Sequence, residues 1–114
     1  MALAINITSI DAGEDNLYIF GLLTASGSYT SGGDTLDLTT VANQIGASQA
    51  PVQVWVGGST GDNYGFVRAA TPTLANGKIK INTTSNTELG AGAYPARISG
   101  DPNIQIEAVF SKLI

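Results

Sequence analysis

The chain has 114 residues, of which 12% are charged and 14 are glycine, with a formal net charge of −4. That length suits one domain (1–114), which buries roughly two-thirds of the surface its unfolded chain would expose, so a core forms without staples. Cysteine and histidine are absent and the five basic residues are scattered, which excludes disulfides, imidazole-ligated zinc, His-activated nucleophiles and the basic stripe of a nucleic-acid binder.

Leu3, Ile5 and Ile7 alternate with Ala4, Asn6 and Thr8, which predicts a first strand with one buried face. The segment ahead of it has no basic leader and no long apolar run, so synthesis in the cytoplasm is expected. The sequons at Asn6 and Asn82 then carry no weight. Asp11 to Asn16 reads as a polar loop; it lacks the acidic spacing and the terminal glutamate of a calcium loop. Leu17 to Ala25 follows as a strand covered on both faces, pairing with the first as a hairpin.

Gly27, Gly32 and Gly33 predict a sharp, exposed connection around Tyr29. Asp34 in this turn is expected to cap local amides. Leu36 to Leu38 reads as a short strand. Thr39 to Ala47 fits a helical turn ended by Gly46, and no long helix is expected.

From Pro51 to Val56 the period returns to two, placing Val52, Val54 and Val56 inward with Gln53 and Trp55 opposite. The Gly57 to Asn63 cluster lacks the Gly-Lys-Ser/Thr ending of a phosphate loop and is read as the turn of a second hairpin, whose other strand is Tyr64 to Ala69. Tyr64 and Phe66 are assigned to the core. Asn76-Gly77 signals a two-residue turn into Lys78 to Asn82, whose lysines suit a sheet edge. Thr83 to Ala93 is expected to be an exposed loop, and Pro95 argues against a central strand after it. Ile104, Ile106, Ala108 and Phe110 share one face of a terminal strand. About eight short strands divided by turn signals make the fold class all-β: a single small β-sandwich, jelly roll or barrel.

Catalytic chemistry is reduced to carboxylate pairs such as Asp34 with Asp37, or Asp11, Glu14 and Asp15, with nothing to bring them to a cleft. No cofactor, metal or catalytic residue is assigned, and an enzyme is not expected. Charge is about half its usual ~25% share, and glycine exceeds its usual ~7%. A surface so poor in charge favours association, since neutral side chains are desolvated cheaply. A homo-oligomer, dimer or trimer, is expected. Phosphate and anionic membranes would repel a chain of this sign, so neither nucleic acid nor membrane is an expected partner.

The segment Tyr29, Gly32-Gly33-Asp34-Thr35-Leu36-Asp37 resembles a strand-to-turn motif of tailed-phage structural proteins. Pro51-Val52-Gln53-Val54, Leu74 to Ile81, Ala93 to Ala96 and Ile104 to Phe110 carry further likeness. The resemblance spans most of the chain and implies a small all-β virion protein of the head-decoration, or cement, type. Such a protein would sit on the capsid surface and bridge subunits of the major capsid protein. The contact residues expected are Tyr29, Thr30, Asp34, Trp55, Ser59 and Thr60, with Tyr29 exposed in its turn and Trp55 either an anchor or a second-layer core residue. A tail or neck component, or a carbohydrate-binding module using Tyr29 and Trp55, are the alternatives.

Overall fold

The computed structural model describes residues 3–47 and 49–111. Strands β1 (Leu3–Ala12) and β2 (Asn16–Ala25) form the expected antiparallel hairpin. Both are longer than the alternation suggests, and the loop between them shrinks to Gly13–Asp15. The reason is a bulge between Ile7 and Ser9: before it Ile7 faces Gly21, after it Ile10 faces Ile19. One extra residue switches the core-side positions from odd to even, so Leu3, Ile5, Ile7 and Ile10 all lie on one face although their spacing breaks the period, Ile10 remaining 51% exposed at its end. Thr8, the extra residue, donates its hydroxyl to the Phe20 carbonyl at 3.2 Å.

Past two-residue β3 (Ser28–Tyr29) and β4 (Asp34–Leu36) comes helix α1 (Thr39–Ile45), closed by Gly46 at φ 79°. The expected Leu36–Leu38 strand is thus displaced toward Asp34. Strands β5 (Gln53–Gly57), β6 (Asn63–Val67), β7 (Gly77–Asn82) and β8 (Gly92–Ala93), helix α2 (Ala96–Ser99) and strand β9 (Gln105–Ser111) complete the chain. Pro95 stands immediately before α2, clear of any strand, as its missing N–H requires.

Among the described residues the strands form a four-stranded sheet, β1-β2-β9-β5, a three-stranded sheet, β4-β7-β6, and the small β3-β8 pair, and the fold is all-β and sandwich-like. The second hairpin expected from the sequence does not form: β5 pairs with β9 and β6 with β7, so the Gly57 to Asn63 turn carries the chain from one sheet to the other. Nor is β7 an edge. It lies between β4 and β6, and Lys78 and Lys80 line its exposed face while Ile79 and Ile81 are buried. The Asn76-Gly77 signal has another cause as well. The β6–β7 connection runs from Arg68 to Asn76, Asn76 uses its side-chain amide to bond Thr71 and Thr73, and a Cβ on Gly77 would lie 2.4 Å from the Phe66 ring.

The core lies between the two larger sheets. Ile19, Leu23, Ile106, Ala108 and Phe110 reach it from one side, Leu36, Ile79 and Ile81 from the other, with α1 contributing Val41 and α2 Ile98. Tyr64 and Phe66 pack against this cluster, as expected. Strand β2 is not covered on both faces. Its odd residues Ile19 and Leu23 are buried, whereas Phe20 is 37% exposed and Tyr18 and Leu22 are half-buried.

Candidate functional site

Of the expected contact residues, Tyr29 and Asp34 belong to the interior. Tyr29 is 2% exposed; its hydroxyl donates to Glu88 Oε2 at 2.8 Å and accepts the Ile81 N–H at 3.1 Å. Strand β4 ends opposite Ile79, so this hydroxyl serves the next inward N–H of β7, beyond the reach of β4. That long-range demand draws the ring in from a turn whose glycines suggested exposure. Burial and the Glu88 carboxylate push the Tyr29 phenol up to about 12. Asp34, 6% exposed, caps the Thr30 N–H through Oδ1 at 3.0 Å and accepts the Tyr94 hydroxyl on Oδ2. The amide-capping reading of Asp34 therefore holds, its availability as a contact does not, and of these three turn residues Thr30 alone is at the surface.

Ser59 and Thr60 are exposed but tied down. The Ser59 N–H and hydroxyl donate to Asp101 at 2.8 and 2.5 Å, and the Thr60 hydroxyl donates to the Arg97 carbonyl at 3.1 Å. Those two bonds from Ser59, with a third from the Asn103 N–H, hold the Asp101 carboxyl below the usual carboxylate range. Arg97 also pairs with Asp62 at 3.0 Å. The Gly57 to Asn63 turn is thus a braced corner against α2 and the segment before β9. Val52, expected inward, precedes β5 and is 49% exposed.

Trp55 keeps the position the alternation gave it, on the face opposite Val54, and it is 49% exposed. The register shows what lies beside it. Phe20 faces Glu107 on β9, and Glu107 faces Trp55 on β5, so the three form one row across three adjacent strands. At about 4.8 Å between strands, the two aromatic residues stand about 10 Å apart with the carboxylate between them. In the next row Leu22 faces Gln105, which faces Gly57. A Cβ on Gly57 would meet nothing within 4 Å, so that end of the row is open. The result is a groove of about 830 Å³ whose lining includes Phe20, Leu22, Trp55, Ser59, Gln105 and Glu107.

This face brings Trp55 and Ser59 together and leaves Thr30 and Thr60 outside. Phe20, Gln105 and Glu107 were missed by the sequence reading. The signal existed: Gln105 and Glu107 interrupt the inward set of β9, and Phe20 is out of phase with Ile19 and Leu23. Among the described residues no cluster of three acidic side chains is placed to hold a metal ion, and no helix is long and apolar enough to cross a membrane. No family model matches the sequence, and no match is found among the curated proteins or the solved structures.

Proposed function

We propose that this is a non-enzymatic virion protein of a tailed phage, of the head-decoration type, which attaches to the outside of the assembled capsid and strengthens it by bridging capsid subunits. The observation that carries the reading is the open face of the four-stranded sheet, where Phe20 and Trp55 are 37% and 49% exposed and no described element is laid over them. Exposed aromatic anchors are the usual core of a protein contact. The mechanism is additive: a modest interface repeated over a shell gains through multivalency, so each copy can be weakly held while the particle resists internal pressure. Shell symmetry suits a dimer or trimer of the chain.

Immunogold electron microscopy of the virions, with antibody against this chain, tests the reading. Gold spread over the heads is the expected result; gold confined to tails transfers the protein to the tail or neck, and gold absent from particles overturns a virion role. A carbohydrate-binding module is a second reading, favoured by Trp55 with Gln53 and Gln105 exposed on one face. Tyr29 no longer supports it. A glycan titration that saturates would establish that alternative.

A further inference from the structure

The open face of the four-stranded sheet is acidic as well as aromatic. On the hairpin, Asp11 and Phe20 share the outward side with Tyr18 and Leu22, and Glu107 continues that side onto β9. Among the described residues, the chain's own cations lie elsewhere. Arg68 donates to the Pro51 and Val52 carbonyls, Arg97 is paired with Asp62, Lys78 and Lys80 are on the far sheet, and Lys112 falls outside the described residues. Glu107 is half-buried between Phe20 and Trp55, and among the described residues its carboxylate has neither a hydrogen-bond nor an ion-pair partner.

We propose that the groove receives a basic side chain, arginine above all, presented by a partner protein. Each part of the row supplies one requirement of that guest. The Trp55 and Phe20 rings offer π faces that attract a cation. The Glu107 carboxylate between them can accept two parallel N–H bonds from a planar guanidinium, which a lysine ammonium cannot match while also stacking. Gly57 leaves the entrance bare, and Gln105 and Ser59 give polar rims. An apolar guest would bury the carboxylate unpaired, at a cost that disfavours it. The inference rests on the reading of this face as the contact surface, and it adds the chemistry of what the face contacts.

Trp55 is the only tryptophan of the chain, so its fluorescence reports occupancy of the groove directly. The wild type, Glu107→Gln and Gly57→Val are titrated at low salt with a tetra-arginine peptide and a tetra-glutamine peptide, after thermal melts have shown the variants folded. The expected result is a saturable, salt-sensitive change with the arginine peptide alone, on the order of ten-fold weaker for Glu107→Gln and lost for Gly57→Val. No response, an equal response to the glutamine peptide, or an unchanged response of Glu107→Gln overturns the proposal. Concentration-dependent self-association that occupies the groove without peptide also overturns it, by assigning the site to a second copy. Co-sedimentation with capsids separates the two levels of argument. If Trp55→Ala loses binding while Glu107→Gln keeps it, the face stands and the basic guest falls; if both variants still bind, the face itself falls.

Discussion

Gly21 shows how much a single missing atom can decide. It lies opposite Ile7 at the bulge, and a Cβ there would meet the Asn6 carbonyl oxygen at 2.6 Å. Because the obstacle is backbone, it cannot turn aside. Gly21→Ala should therefore force the hairpin apart and cost about 1–3 kcal/mol, the usual penalty of overpacking, measured by denaturant unfolding. Trp55→Ala sets the contrast. The side chain is 49% exposed on the outer face, so its loss should change stability by no more than about 1 kcal/mol, as for most surface substitutions, while removing the capsid binding proposed above. A large loss of stability would place Trp55 among the core residues instead.

Among the elements, β7 is best explained by what it lacks. Strand β4 is too short to pair its whole length, and the deficit is met from outside the sheet: the Tyr29 hydroxyl takes the Ile81 N–H, and the Leu89 N–H donates to the Ile81 carbonyl at 2.9 Å. Glu88, which bridges toward Asn82, also accepts the Gly32 N–H. The segment after β7, expected as an exposed loop, thus anchors Glu88 and buries Leu89 at 7% exposure. Tyr29→Phe should leave that buried Ile81 N–H unpaired and cost about 1–3 kcal/mol. Hydrogen exchange should show the loss at Ile81 and Leu89 first; uniform loss across both sheets would refute a local role for the hydroxyl.

For the whole molecule, pH dependence follows from having no histidine and no cysteine. Asp101, held down chiefly by the Ser59 bonds, and Glu88, held down chiefly by the Gly32 N–H, have depressed folded pKa values. Their stabilisation is complete above the unfolded carboxylate values near ~4 and is lost as pH falls through the folded ones. Burial raises the Tyr29 and Tyr64 phenols to about 12 and moves Tyr94 upward as well. That contribution is complete below the unfolded tyrosine value near ~10 and disappears as pH rises toward the folded values. The melting temperature should accordingly be flat between about pH 5 and 9 and fall on both sides. A slope inside that window, in scanning calorimetry, would contradict this assignment.

Much of this architecture could be read along the chain. The regular alternation of Ile104 to Phe110 is enough to place β9 inside a sheet, since only one pleat orientation buries all four apolar side chains; the β1–β2 hairpin and the glycine stop of α1 follow from equally local chemistry. Trp55 was placed on the outer face by the same period of two. Tertiary structure decided the rest, because it concerned which distant groups meet. Tyr29 turned inward because a backbone N–H on β7 needed a partner 52 residues away. Tyr64 and Val56 look like the two arms of a hairpin locally, yet their strands joined different sheets, each finding a longer antiparallel neighbour. The row of Phe20, Glu107 and Trp55 exists only because β9 inserts between β2 and β5. Local sequence determines which face of a strand is apolar; strand order, a global property, determines which outward side chains become neighbours.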